Sequence, residues 1–206
     1  MKCFLEHDSF NKKMVEGARL LLEGLGEVTG DCSNSTIDLK DPNFLKTPYR
    51  IAKSYVEMCQ GLGKLHEVED IFSTGFPSDY NGIILVDRIA ANSMCPHHFL
   101  PVSYKVDFAY IPEKRMLGLS KIPRFIKLLA MRPVLQEDFT KEVIQLFLEH
   151  VKPQGAIAVV TGIHNCMKCR GIEVHDSAAI TSEVAGVFEE SAPRQEFFEL
   201  LKLRNR

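Results

Sequence analysis

A chain of 206 residues, 45 % of them apolar, fits one domain of ordinary size, or such a domain with an extension, and can bury a core. Its net charge of −2, with 25 % charged residues, gives no support to a nucleic-acid or membrane partner, so any bound anion needs a local cluster of cations. No apolar run approaches the roughly 18 residues of a membrane span, and the opening "MKCFLEHDSF" is too polar for a signal peptide, which makes a cytoplasmic protein the expectation.

In chain order, "NKKMVEGARLLLEGLG" predicts a helix closing on Gly26, with Met14, Ala18, Leu21, Leu22 and Leu25 as its apolar stripe. The polar stretch "TGDCSNSTIDLKDPN" reads as a loop. In "KTPYRIAKSYVEMCQGLG", Thr47 suits an N-cap and Pro48 the first helical position. Ile51, Tyr55, Met58 and Leu62 form the expected buried stripe there, and Arg50 and Lys53 share another face.

From Gly82 the pattern turns to strands. "GIILVDRIAANS" reads as one, and "PVSYKVDFAYIP" alternates, with Val102, Tyr104, Val106, Phe108 and Tyr110 on one face and Lys105 and Asp107 among the residues on the other. "RMLGLS" reads as a short partner strand. "SKIPRFIKLLAMRP" opens a helix at Ser120, and "QEDFTKEVIQLFLEHV" reads as a second. "GAIAVVTGIHNC" and "AAITSEVAGVF" return to strand, and "RQEFFELLKL" predicts a terminal helix. Consecutive antiparallel strands with segregated helices predict an α+β fold. The expected division is a helical N-terminal region over 1–80 and a sheet-bearing domain over 81–206. A four-stranded sheet leaves two edges, which a loop or charge can blunt or a second copy of the chain can pair.

Four clusters bear chemistry. "SMCPHHFLP" places Cys95 and His98 at the two-residue gap that lets both side chains reach one zinc ion, and "HNCMKCRG" adds His164, Cys166 and Cys169. Cys95, His98 and Cys166 alone would leave a fourth position open for water, the arrangement of a catalytic zinc site. With Cys169 the set would close into a structural Cys3His site. Against that, residues three apart on an extended strand point to opposite faces, so Cys166 and Cys169 converge only across a turn. His97 and His164 would stand beside the metal as proton-transfer groups. The third cluster is cationic: Ser120, Lys121 and Arg124 at a helix start, Arg170 after the second cysteine pair, and Arg50 and Lys53 upstream, together a candidate polyphosphate site. The fourth is Gln136–Glu137, in which a carboxylate could accept from the N1 and 2-amino groups of a guanine and an amide could serve its O6 edge.

Taken together, "TPYRIAKSYVEM", "SMCPHHFLP", "YIPEKRMLGLSKIPRFIKLLAMRPVLQE" and "HNCMKCRGIEVHDSAAITSEVAGVF" resemble the GTP cyclohydrolase I family, in that family's order, from about Lys46 to the C-terminus. The resemblance implies the tunnelling fold: an antiparallel four-stranded sheet with two helices on one face, joined with other subunits into a barrel. It also implies a homodecamer of two pentamers, which would pair the sheet edges. By position it implies zinc (Zn2+) on Cys95, His98 and Cys166, with His97 and His164 as acid–base groups. Glu137 with Gln136 would anchor guanine, and Ser120 would lie near the ribose. Lys121, Arg124, Arg170, Arg50 and Lys53 would contact the triphosphate of GTP, some in a neighbouring subunit's site.

The implied reaction opens the guanine imidazole ring, releases formate and ends at 7,8-dihydroneopterin triphosphate, the entry to folate or tetrahydrobiopterin. Three residues depart from the family pattern: Pro96 where glutamate is usual, Cys169 where a small or apolar residue is usual, and Asp138 where a basic one is common. Two rival readings stand beside this one. One is a 7-deazaguanine-pathway enzyme of the same fold, which uses a cysteine nucleophile without zinc. The other is a non-catalytic oligomer held by a closed zinc site.

Overall fold

The structure is a computed structural model that describes residues 8–28 and 37–203. The chain divides into two compact units, Met1–Met58 and Cys59–Arg206.

Among the described residues, the first unit holds two helices. Helix α1 spans Asp8–Val28 and α2 spans Thr47–Met58. Of the expected stripe on α1, Ala18 and Leu22 are buried, whereas Leu21 and Leu25 are 59 % and 47 % exposed. The burying face is thus narrower than the apolar pattern. On α2 the fully buried residue is Ala52, and the helix stops at Met58, so Leu62 lies beyond it in a turn and is exposed. Thr47 is already helical, because the Arg50 amide donates to the Lys46 carbonyl at 3.0 Å. Of the loop expected over 29–43, residues 29–36 lie outside the described residues.

The second unit is built on one sheet. A short helix α3, Glu67–Phe72, precedes strand β1, Phe76–Pro77. Strands β2 (Ile84–Met94) and β3 (Pro101–Ile111) follow as a hairpin. Strand β4, Arg115–Met116, is the "RMLGLS" segment; it pairs with β1 in a separate two-stranded ribbon and not with the main sheet. Helices α4 (Lys121–Ala130) and α5 (Gln136–Val151) lead to β5 (Gly155–His164). A single turn, α6 (Asn165–Lys168), leads on to β6 (Ala179–Gly186) and helix α7 (Ser191–Leu203). The main sheet has the order β2-β3-β5-β6, and every neighbouring pair is antiparallel. This is the α+β arrangement expected of the family's fold.

The alternation along β3 produces the main core. Val102, Tyr104, Val106, Phe108 and Tyr110 are all buried beneath α4 and α5, together with Phe125, Phe139 and Phe147. Phe147 is the hub: its ring lies 4.7 Å from Phe108, 5.1 Å from Tyr110 and 5.5 Å from Phe72, in edge-on geometry. Each fully buried ring of this kind stabilises by about 1.5–3 kcal/mol relative to exposure.

The opposite face of β3 is not uniformly outward. Ala109 and Ile111 are buried with Ile157, Phe188 and Phe197, where the C-terminal α7 covers one end of the sheet. Asp107, on that same face, is buried too. The β2–β3 register slips between Val86 and Ile89, Arg88 adopts φ 50°, and the Arg88 amide donates to Asp107 Oδ1 at 2.8 Å. A bulge leaves an orphan amide, and the buried carboxylate accepts from it. Strand β6 is an edge, and its Ile180 is 69 % exposed.

Candidate metal centre and its surroundings

The sheet order fixes where the site forms. Antiparallel pairing puts Met94 opposite Pro101 and Val102 opposite His164, so the β2–β3 turn and the end of β5 lie side by side. The turn is a single helical coil: the Phe99 amide donates to the Cys95 carbonyl, and the Cys95 amide to the Leu100 carbonyl, both at 2.9 Å. Phe99 closes it in the left-handed region at φ 52°, a conformation that strains a non-glycine residue and tends to mark functional turns. One helical turn brings positions i and i+3 to the same side. Cys95 Sγ is accordingly 3.6 Å from His98 Nδ1.

Cys166 comes from α6 on the neighbouring strand. Asn165 Nδ2 pins that turn by donating to the Pro101 carbonyl at 2.9 Å. The ligand atoms of Cys95, His98 and Cys166 all lie within 4.8 Å of one another. Two sulfurs and an imidazole nitrogen at that spacing fit a borderline-soft divalent ion such as zinc. In the protein alone, burial and the neighbouring Cys95 thiol push the Cys166 thiol up, partly offset by Arg170.

Cys169 stands apart from this group. The segment is a helical turn and not the strand expected, so the argument from opposite strand faces does not apply; the Cys169 thiol donates to the Asn165 carbonyl at 2.8 Å and is exposed. His97 is likewise not among the clustered ligands; it is exposed, with its ring 6.2 Å from that of His98.

His164 is half-buried at the end of β5, beside the edge of the buried Tyr104 ring, which in turn stacks on Phe139 at 5.0 Å. Burial lowers the pKa of His164 against a smaller opposing pull from Glu137, and burial pushes Tyr104 up to about 12. The charge of Glu137 is therefore felt at both rings. Glu137 itself is exposed, in the first turn of α5.

Gln136 departs from the role expected of it. It is 3 % exposed, and its amide is committed inside the protein: Oε1 lies 2.8 Å from His164 Nε2, and Nε2 donates to the carbonyls of Val160 and Ala179. A side chain so engaged has no free edge for a base. Two threonines that the sequence reading missed, Thr140 and Thr181, complete this network. The one signal for it in the sequence was Gly162 inside a strand, since a strand glycine marks a close approach.

The cations are distributed. Ser120 is the N-cap of α4, with Lys121 and Arg124 in its first turn. Arg124 lines a groove with Gln60, Lys64 and Lys127. Arg170 is exposed just after α6, close enough to act on Cys166. Arg50 and Lys53 lie on α2 in the first unit, where Lys53 pairs with Glu57 at 3.8 Å. No described helix is long and apolar enough to cross a membrane.

A four-stranded antiparallel sheet backed by two helices, with a Cys–His–Cys group at one end that could hold a metal ion, defines an α+β protein with a candidate metal site. The family model of GTP cyclohydrolase I matches residues 32–202. The chain is 37 % identical over 198 residues to the "GTP cyclohydrolase 1" of Bacillus subtilis (strain 168), covering 93 % of this chain and 96 % of that one. It is 33 % identical over 193 residues to that of Clostridium perfringens (strain 13 / Type A), covering 93 % and 98 %. A solved structure, the archaeosine synthase QueF-Like in the apo form, aligns at a TM-score of 0.40 and 16 % identity over 51 % of this chain and 94 % of that one, a likeness too slight to bear on chemistry. The chain belongs to the GTP cyclohydrolase I family, and its assignment as an enzyme follows from that membership.

Proposed function

We propose that this protein hydrolyses GTP at the guanine imidazole ring, releasing formate and forming 7,8-dihydroneopterin triphosphate. The observation that carries the reading is the cluster of Cys95, His98 and Cys166 without Cys169, which leaves a bound ion an open position. Zinc held there supplies Lewis acidity and activates water near neutral pH.

The chain's own groups do the rest. His97 and His164 flank the metal group and move protons: one protonates the purine N7 as C8 is hydrolysed, and the other serves the later ring opening. Glu137, exposed at the start of α5 and electrostatically coupled to His164, accepts from the guanine N1 and 2-amino groups. Ser120 lies near the ribose. Lys121, Arg124, Arg170, Arg50 and Lys53 neutralise the triphosphate, and some of them do so in a neighbouring subunit's site. That sharing requires an oligomer, and in this reading β2 and β6 pair with other copies into a barrel, a decamer of two pentamers acting in the cytoplasm. Burying two sheet edges by such pairing removes the hazard that an open edge presents.

The test is direct. Purified protein incubated with GTP should release formate and give a fluorescent pterin after oxidation, and ATP should give neither. GTP recovered intact from a zinc-replete preparation would overturn the reading. The rival of a closed structural zinc site is disfavoured by the position of the Cys169 thiol on the Asn165 carbonyl.

A further inference from the structure

We propose that Gln136 is a positioning residue that fixes the tautomer of His164, holding its proton on Nε2 and leaving Nδ1 as the nitrogen with the free lone pair. The inference rests on the functional reading above for the step His164 serves, but the assignment of the ring does not.

The argument is a count of donors and acceptors. Gln136 Nε2 lies 3.0 Å from the Val160 carbonyl, 3.1 Å from the Ala179 carbonyl and 3.2 Å from Thr181 Oγ1. Main-chain carbonyls only accept, so the NH2 end of the amide must face them, and the oxygen must face His164. The threonines run the same way. Thr140 Oγ1 donates its one hydrogen to the Gln136 carbonyl at 2.7 Å. In its 2.6 Å contact with Thr181 it can therefore only accept. Thr181 donates there, and its own oxygen, at 3.2 Å, shares one of the two amide hydrogens directed at the Val160 and Ala179 carbonyls. Each hydroxyl proton is spent once, and none points toward the imidazole.

Gln136 Oε1 thus meets His164 Nε2 as an acceptor, at 2.8 Å. The contact is a hydrogen bond only if Nε2 carries the hydrogen. A neutral imidazole has one N–H, so Nδ1 then carries the lone pair. No described residue hydrogen-bonds to Nδ1.

A second observation shows that the placement is built into the backbone. A Cβ at Gly162 would fall 2.1 Å from Gln136 Oε1 and 3.0 Å from Cδ. Only glycine admits the amide at this point of β5. The same amide bridges β5 and β6 through the Val160 and Ala179 carbonyls, which leaves it little freedom to rotate.

The test reads the ring itself. Long-range proton–nitrogen correlation on the zinc-loaded protein, labelled with 15N-histidine and assigned against His164→Gln, should show a protonated, pyrrole-type Nε2 and a pyridine-type Nδ1 for His164. In Gln136→Met, which keeps the length and removes the acceptor, the Nδ1–H tautomer should become populated at unchanged zinc content. Its kcat with GTP should fall by about 10- to 100-fold, the usual cost of losing an orienting partner, with KM little altered. Gly162→Ala, which displaces the amide without deleting it, should give the same ring signature. A merely structural role would leave the tautomer as it was.

The proposal is overturned if wild-type His164 carries its proton on Nδ1. It is equally overturned if both variants keep a single Nε2–H tautomer, or if Gln136→Met raises KM at constant kcat, which would make the amide a substrate contact. Should the variants fail to fold, the wild-type spectrum decides. Failure of the wild-type protein to release formate would count against the functional reading alone, because the ring spectrum needs no turnover.

Discussion

Cys95 Sγ and His98 Nδ1 lie 3.6 Å apart across one helical turn, and that turn exists because Phe99 accepts a left-handed conformation at φ 52°. Cys166 joins them from the turn that follows β5, the strand beside β3, so the three candidate ligands are assembled by pairing of β3 with both β2 and β5. The expected outcome is about one zinc per chain, with Cys95→Ser, His98→Ala and Cys166→Ser each losing the ion and turnover. Elemental analysis beside formate release checks it. Full activity in a zinc-free preparation would contradict the assignment.

Cys169 provides the contrasting case. Its thiol donates to the Asn165 carbonyl and is exposed. Cys169→Ala should keep both zinc and turnover, with stability changed by no more than the ~0.5 kcal/mol typical of an exposed position. Zinc loss in this variant alone would point to the closed structural site.

Much of the frame was legible in the sequence because period and punctuation agree there. The Val102-to-Tyr110 alternation gives β3 and its buried face, and α5 begins at Gln136 and ends at Val151 as its pattern does. What escaped were features set by partners distant in sequence. The inward Asp107 follows from a bulge in β2, which no local pattern announces. Strand β1 has only two residues, and α6 is one turn. In the site, the Cys-x-x-His spacing announced a metal pair, but the commitment of Gln136 did not show, since its partners lie 24, 43 and 45 residues away.

Glu137 carries the choice of base in the proposed reaction. Adenine presents an acceptor at N1 and no 2-amino group, so a carboxylate there would lose its donors. An unpaired polar group costs about 1–3 kcal/mol, and more when charged. ATP should therefore be turned over at least ~5-fold more slowly than GTP at equal concentration, since each 1.4 kcal/mol is tenfold. Glu137→Gln should lose most GTP turnover while retaining zinc. Comparable initial rates with the two nucleotides would remove Glu137 from the guanine contact.

His97 and His164 test the separation of proton transfer from metal holding. Neither belongs to the clustered ligands, and His164 hydrogen-bonds to Gln136 and not to a sulfur. General acid–base groups contribute about 10²–10⁴-fold. His97→Ala and His164→Ala should each lower kcat by about that range with zinc content near wild type. The two need not stall at the same point, since one serves hydrolysis at C8 and the other a later ring opening. A variant blocked late should accumulate a formylated, ring-opened species with the mass of GTP plus one water, visible by mass spectrometry of the quenched reaction. The adjacent pair offers its own control: His98 Nδ1 faces Cys95 Sγ, so His98→Ala should strip the zinc where His97→Ala spares it. The reverse pattern would exchange their roles.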